Sequence, residues 1–112
     1  MITSTQNAEH YTCGDNCDGW HLLKSNSLSV IQERMPPDTG EQLHFHHHAQ
    51  QVFYILSGTA TFEVVGEVLT VEANQSIHIP AETRHRILNK GEADLHFLVI
   101  SEPKAHGDRV NL

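Results

Sequence analysis

The stretch LHFHHHAQQVFYILSGTATFEVV, residues 43–65, decides how this chain is read. Side chains on a strand alternate between two faces, so His44 and His46 project the same way, while Phe45 and His47 point to the other side. Val52 to Leu56 follows as a short apolar run. Ser57-Gly58 then turns the chain into Thr59 to Val65, which is rich in β-branched residues. Two imidazoles two positions apart on one strand can reach a single ion from the same side, provided that ligands from elsewhere close the shell.

The same punctuation recurs on either side. Upstream, Trp20 to Lys24 and Leu28 to Met35 are separated by Ser25-Asn26-Ser27. In the second of these runs Leu28, Val30 and Gln32 share one face, and Ser29, Ile31 and Glu33 the other. Pro36-Pro37 cannot donate to a central ladder and closes that strand. Downstream, Gly66-Glu67 connects to Val68 to Val71, and Asn74-Gln75 turns into Ser76 to Ile79, which Pro80 ends. Arg84 to Leu88 and the apolar Leu95 to Ile100 complete the series. No window keeps an i, i+3, i+4, i+7 apolar pattern. Short strands at close spacing, each ended by Gly, Pro or Asn, predict an all-β sandwich or barrel.

The chain has 112 residues, enough for one core and too few for two. Residues 1–18 show no sustained period and are expected to form an N-terminal arm, with residues 19–112 as a single barrel domain. Fourteen acidic residues against seven basic ones give a formal charge of −7, which argues against nucleic acid as a partner. No apolar run approaches the ~20 residues of a membrane span. The first ten residues lack the layout of a secretory signal, so the expected location is cytoplasmic. Cys13 and Cys17 are the only cysteines. Their four-residue offset fits neither a C-x2-C zinc pair nor a disulfide framework, and a reduced pair without function is expected, a metal role being the lesser alternative.

Ten histidines are the compositional anomaly, and His44, His46, His47 and His48 fall within five positions. Beyond them, Gln51 precedes Gly58 by seven positions, and Ser76-Ile77-His78-Ile79-Pro80 leads through Glu82 to His85 and Asn89. In these two stretches the sequence resembles the cupin superfamily. Its first motif runs Gly, five residues, His-x-His, three or four residues, Glu, six residues, Gly; its second runs Gly, five residues, Pro-x-Gly, two residues, His, three residues, Asn. The resemblance implies a double-stranded β-helix, or jelly-roll barrel. It also implies a site for one divalent transition metal (Zn, Ni, Fe, Mn or Cu), with His44, His46 and His85 as ligands. Gln51 falls where the family has its glutamate. Asp38, Asn74 and Glu82 stand where it has glycines. A frame using His46-x-His48 would put Val52 or Phe53 at the remaining ligand place, and neither can bind a metal. Gln50 is the alternative to Gln51 if the strand carries a bulge.

The expected function is a metal-binding small cupin that acts on or binds a small organic molecule, as an enzyme of oxygenase, lyase, cyclase or isomerase type. A non-catalytic small-molecule or metal-binding module is the alternative. A general base in the cavity would separate the two, and Glu41 and Glu63 are the candidates. Phe53, Ile55, Phe62 and Phe97 are expected to line or support the cavity. His47, His10, His21 and His106 are expected on the surface, His78 on the surface or behind the ligands, and His96 in the core. Small cupins resemble one another in pairing through edge strands, which implies a homodimer.

Overall fold

The computed structural model describes residues 1–14 and 16–112, and among them there is no helix. Twelve strands form: β1 (Glu9–Cys13), β2 (Cys17–Lys24), β3 (Ser29–Met35), β4 (Thr39–Gly40), β5 (His44–His46), β6 (Gln50–Ser57), β7 (Thr59–Val64), β8 (Glu67–Glu72), β9 (Ser76–Ile79), β10 (His85–Asn89), β11 (Leu95–Glu102) and β12 (Arg109–Asn111). They lie in two antiparallel sheets. One has the order β1-β2-β3-β11-β6-β9; the other has β12-β5-β10-β7-β8, with β4 also paired to β10. Strands distant in sequence become neighbours, as in a jelly roll that folds two sheets over one core.

The expected strands are all present, most with bounds shifted by one to three residues. Three strands are additional. Residues 9–13, expected in an irregular arm, form β1 and pair with β2 from Glu9 opposite His21 to Cys13 opposite Cys17. Its polar, exposed sequence carries no strand signal; pairing with β2 holds it. Strands β4 and β12 are too short for periodicity to show. The reading of Cys13 and Cys17 as a reduced pair is overturned: they are joined by a disulfide across the β1–β2 hairpin. Facing positions in the register bring the two Cα atoms to 4.9 Å, within disulfide reach.

The core sits between the sheets. Phe53, Ile55, Ala60, Phe62, Ile87, Leu95 and Phe97 are fully buried, and Met35, Val71, Ile79 and Val99 complete the cluster. The Phe53 ring packs edge-on against Phe62 at 5.1 Å between centroids and lies 6.0 Å from Phe97. Burying each of these rings stabilises the fold by about 1.5–3 kcal/mol. Gly58, at φ +86°, makes the turn from β6 into β7, and a Cβ there would press on the Asp94 carbonyl.

Strand alternation then fixes what faces inward beside this core. On β3 the buried Ser29 and Met35 define the inner face, which Glu33 shares. On β6 it is Gln51 and Phe53, on β5 His44 and His46, and on β10 His85 and Ile87.

Candidate metal centre

His44 and His46 leave β5 on its inner face, and β10 brings His85 directly opposite His44. All three are buried, with at most 6% of their surface exposed. Ring centroids are 5.1 Å apart for His44 and His46, 4.4 Å for His44 and His85, and 6.1 Å for His46 and His85. Each offers a ring nitrogen within 4.8 Å of the others. The three are therefore positioned to hold a metal ion.

Their hydrogen bonds select the tautomers. His44 Nδ1 lies 2.8 Å from the Gln42 carbonyl, and His85 Nδ1 lies 2.8 Å from the Thr83 carbonyl. A carbonyl only accepts, so both Nδ1 atoms carry the proton and both Nε2 atoms present a lone pair, the arrangement a metal-ligating imidazole needs. His85 Nε2 is buried with no partner among the described residues, and so is His46 Nδ1. Burial lowers the His44 pKa to about 3 and the His46 pKa to about 4, and lowers that of His85 as well. Neighbouring positive charge, that of Arg109 in all three cases, acts in the same direction. The His44 and His46 rings are thus neutral well into the acid range.

Gln51 is buried on the inner face of β6. Its Nε2 donates to Ser101 Oγ at 3.0 Å, and its Oε1 is buried without a partner among the described residues. Gln50 lies on the outer face: its Nε2 donates to Glu102 and its Oε1 meets His78 Nε2 at 2.9 Å. The only register shift along β6 and β11 falls between His96 and Phe97, far from residue 50.

The remaining histidines sort by face. His47, His10, His106 and His78 are exposed, as is His48 beyond the end of β5. His96 is half-buried on the outer side of β11 and is not a core residue. His21 departs from the expected exposed position: it is half-buried, its ring is 5.2 Å from Tyr11, and its Nδ1 is enclosed without a partner.

A cavity of about 230 Å³ adjoins the histidines. None of the three lines it, but Gln42, which orients His44, and Arg109, which faces His46 across β5 and β12, both do. Glu41 lies in its wall, with Arg109 Nη1 at 3.5 Å from Oε2 and the Ile87 amide at 3.4 Å from Oε1. Burial raises the Glu41 pKa against the pull of Arg109. Glu63, the other candidate base, points outward on β7 and pairs with Arg86, which lowers its pKa. It is no part of the cavity.

Two cavity groups, Glu33 and Arg109, and Tyr11 behind Glu33 escape the sequence reading. Glu33 carries a carboxyl whose pKa enclosure raises to about 8, with Glu41 adding to the rise. Tyr11 donates to Glu33 Oε2 at 3.4 Å. Its ring lies flat over Gly19, where any Cβ would overlap it. Arg109 comes from β12. A charged residue at alternate positions with Ser29 and Ile31 was a usable signal for Glu33; nothing in the sequence singles out Tyr11 or Arg109.

Known proteins resemble this chain. An uncharacterized protein of Methanocaldococcus jannaschii is 29% identical over 83 residues, 74% of this chain, and this chain spans 66% of its length. The oxalate-binding protein of Thermotoga maritima is 30% identical over 85 residues, 71% of this chain and 70% of that one. The solved structure of KdgF from a Halomonas species superposes with a TM-score of 0.84 at 14% identity, over 93% of this chain and 95% of the other. The sequence pattern of the cupin domain matches residues 31–101, from β3 through β11, and β5 and β10, which carry the three clustered histidines, lie inside it. With its barrel and its cluster of inward histidines, this chain belongs to the cupin family.

Proposed function

We propose that this chain holds one divalent transition metal through His44, His46 and His85, with the Gln51 amide oxygen as a fourth donor. On this reading, the ion and the adjoining cavity together take a small oxygen-bearing organic molecule. The observation that carries it is the set of buried donor atoms without partners: His85 Nε2, His46 Nδ1 and Gln51 Oε1. Leaving such groups unpaired costs about 1–3 kcal/mol each, a cost that a bound ion removes. Zinc, nickel, iron, manganese and copper all suit an imidazole-rich shell.

When bound, a divalent ion in this neutral donor set acts as a Lewis acid that polarises an oxygen of the organic ligand. The chain's own residues do the rest. Arg109 gives the cavity a positive group suited to a carboxylate. Glu41, whose pKa burial raises, is a carboxyl in the cavity wall suited to act as general acid or base toward the ligand. These groups favour proton-transfer chemistry of the lyase, cyclase or isomerase type over oxygenase chemistry. The second reading, a binding module that changes no bond, draws support from the name of the oxalate-binding relative. Glu41→Gln separates the two: loss of turnover with ligand binding kept marks an enzyme.

A cytoplasmic location and a homodimer belong to the same proposal. No helix among the described residues is long and apolar enough to cross a membrane. Val68 and Leu69 on β8 are exposed at the end of the second sheet, an edge suited to pairing with a second copy. Sedimentation showing a monomer at micromolar concentration would overturn the dimer.

The decisive experiment is elemental analysis of protein purified without a metal-affinity resin. The expected result is about one transition-metal ion per chain, abolished in His44→Ala/His46→Ala while the β-sheet circular dichroism persists. A double variant that keeps its full metal content would overturn the ligand assignment.

A further inference from the structure

A second group of ligand-type atoms borders the cavity. Cys13 ends β1, Cys17 starts β2, and Glu33 on β3 reaches under the hairpin that joins them. Glu33 Oε1 stands 3.9 Å from Cys13 Sγ and 3.7 Å from Cys17 Sγ. The sulfurs of a disulfide carry no proton, so these are contacts and not hydrogen bonds. The carboxyl therefore has the 3.4 Å bond from Tyr11 as its one side-chain hydrogen bond among the described residues. An enclosed carboxyl so thinly partnered, aimed at two sulfurs, is costly to maintain for packing alone.

The spacing has a chemical reading. In a tetrahedral zinc site, with Zn–S of about 2.3 Å and Zn–O of about 2.1 Å, a sulfur and an oxygen ligand lie about 3.6 Å apart. Glu33 Oε1 already stands at nearly that separation from both sulfurs. Only the two sulfurs have to part, and breaking the bond between them frees each to turn about its own Cα–Cβ bond, since Cys13 and Cys17 are the last pair of the β1–β2 register. Cys13, Cys17 and Glu33 all border the 230 Å³ cavity, which leaves room for a water or a small ligand at a fourth position.

We propose that the Cys13–Cys17 disulfide is a redox latch on a second metal site, in which both thiolates and the Glu33 carboxylate hold one zinc ion when the disulfide is reduced. A dithiol reductant supplies the two electrons and two protons. The S–S bond breaks, two S–H groups form, and the reductant leaves as its own disulfide. Zinc binding then releases both thiol protons to solvent, together with the Glu33 carboxyl proton where that group is protonated. The site is separate from the histidines and stands whether or not they bind a metal.

The test is cobalt(II) titration of the full chain, reduced with a phosphine and handled without air. Thiolate-to-cobalt charge transfer absorbs in the near ultraviolet, and neither imidazole nor carboxylate produces that band. The expected result is a band that is displaced by zinc and saturates at one cobalt per chain in His44→Ala/His46→Ala, and at no more than two in the native chain, where the histidines can take a second ion. It should be absent from the oxidised chain and from Cys13→Ser/Cys17→Ser, yet retained in His44→Ala/His46→Ala. Glu33→Gln should weaken cobalt binding at this site at least tenfold. A reduced native chain that shows no such band overturns the proposal, and so does unchanged affinity in Glu33→Gln.

Discussion

Gln51 donates its side-chain amide to Ser101 Oγ at 3.0 Å and leaves its carbonyl oxygen buried and free. Gln51 stands where the family has glutamate, and in this orientation its side-chain oxygen, not its nitrogen, is the free group. Gln51→Glu should tighten divalent-metal binding on the order of tenfold, about 1.4 kcal/mol, because a charge is added at the same reach. It should also lower the reduction potential of bound iron. Gln51→Ala should weaken binding only in part, since three histidines remain. Metal titration and voltammetry on the three proteins check this; equal affinities and potentials in all three would place Gln51 outside the metal shell.

The ionisable groups of the site predict a limited pH range for the metal-free protein. His44 and His46 have folded pKa values of about 3 and about 4, below their ordinary 6.5. The unfolded chain therefore binds more protons below pH 6.5, and stability falls as the pH drops from there through the folded values. Glu33 has the opposite sign. Its folded pKa of about 8 lies above the ordinary 4.5, so the fold favours the proton and loses stability as the pH rises from 4.5 through 8. Between pH 6.5 and 8 only the Glu33 effect is active of these three. Thermal melts of the oxidised, metal-free chain should show Tm falling across that interval, and Glu33→Gln should flatten the fall. An equal slope in the variant would remove Glu33 as its cause.

Which parts of the molecule could be seen in the sequence follows from how each is encoded. His44 and His46 announce themselves by parity on one strand, and His85 by its distance from Pro80 and Asn89. Those signals are local. Which face of β3 is the inner one is not local: it depends on β11, which pairs with β3 from far along the chain, so Glu33 could be grouped with Ser29 and Ile31 but not placed in the cavity. Arg109 belongs to a three-residue strand held only by its partner β5. The disulfide depends on β1 pairing with β2, and β1 has no apolar alternation to reveal it.

Asn89, expected at the end of a strand, acts as a buried clamp. Its Nδ2 donates to the carbonyls of Met35 and Ala93 at 2.8 and 2.9 Å, and its Oδ1 accepts from the Gly91 amide at 3.0 Å. One side chain thus ties β3, β10 and the turn before β11. Asn89→Ala leaves buried backbone groups unpaired and should cost about 2–3 kcal/mol in urea unfolding. Asn89→Asp should also destabilise, because a carboxylate cannot donate to the two carbonyls. A loss below about 0.5 kcal/mol for Asn89→Ala would show that water replaces the clamp.

Asp38, Asn74 and Glu82 occupy family glycine places, and all three adopt left-handed backbone, with φ of 62°, 67° and 62°. The reason lies in their amides, which tie the loops to the barrel. Asp38 N donates to the Asn89 carbonyl at 2.9 Å, Asn74 N to Ile55 at 2.7 Å, and Glu82 N to His46 at 2.7 Å. The conformation is kept for these bonds although a Cβ makes it cost about 1–2 kcal/mol. Asn and Asp tolerate it, whereas Glu has no short polar group to offset the strain. Glu82 and Asn74 are both exposed, so their side chains contribute little else. Glu82→Gly should therefore raise stability by up to about 1 kcal/mol after the entropy cost of glycine, and Asn74→Gly should change it by less. Glu82→Pro removes the amide hydrogen and imposes a negative φ, so it should cost about 3 kcal/mol or more. Because the lost bond ends on the His46 carbonyl, the proline variant should also bind metal more weakly, while the glycine variant binds as the native chain does. Urea unfolding with metal titration on the three variants measures both effects. A destabilised Glu82→Gly would show that the glutamate side chain, and not its backbone, earns the position.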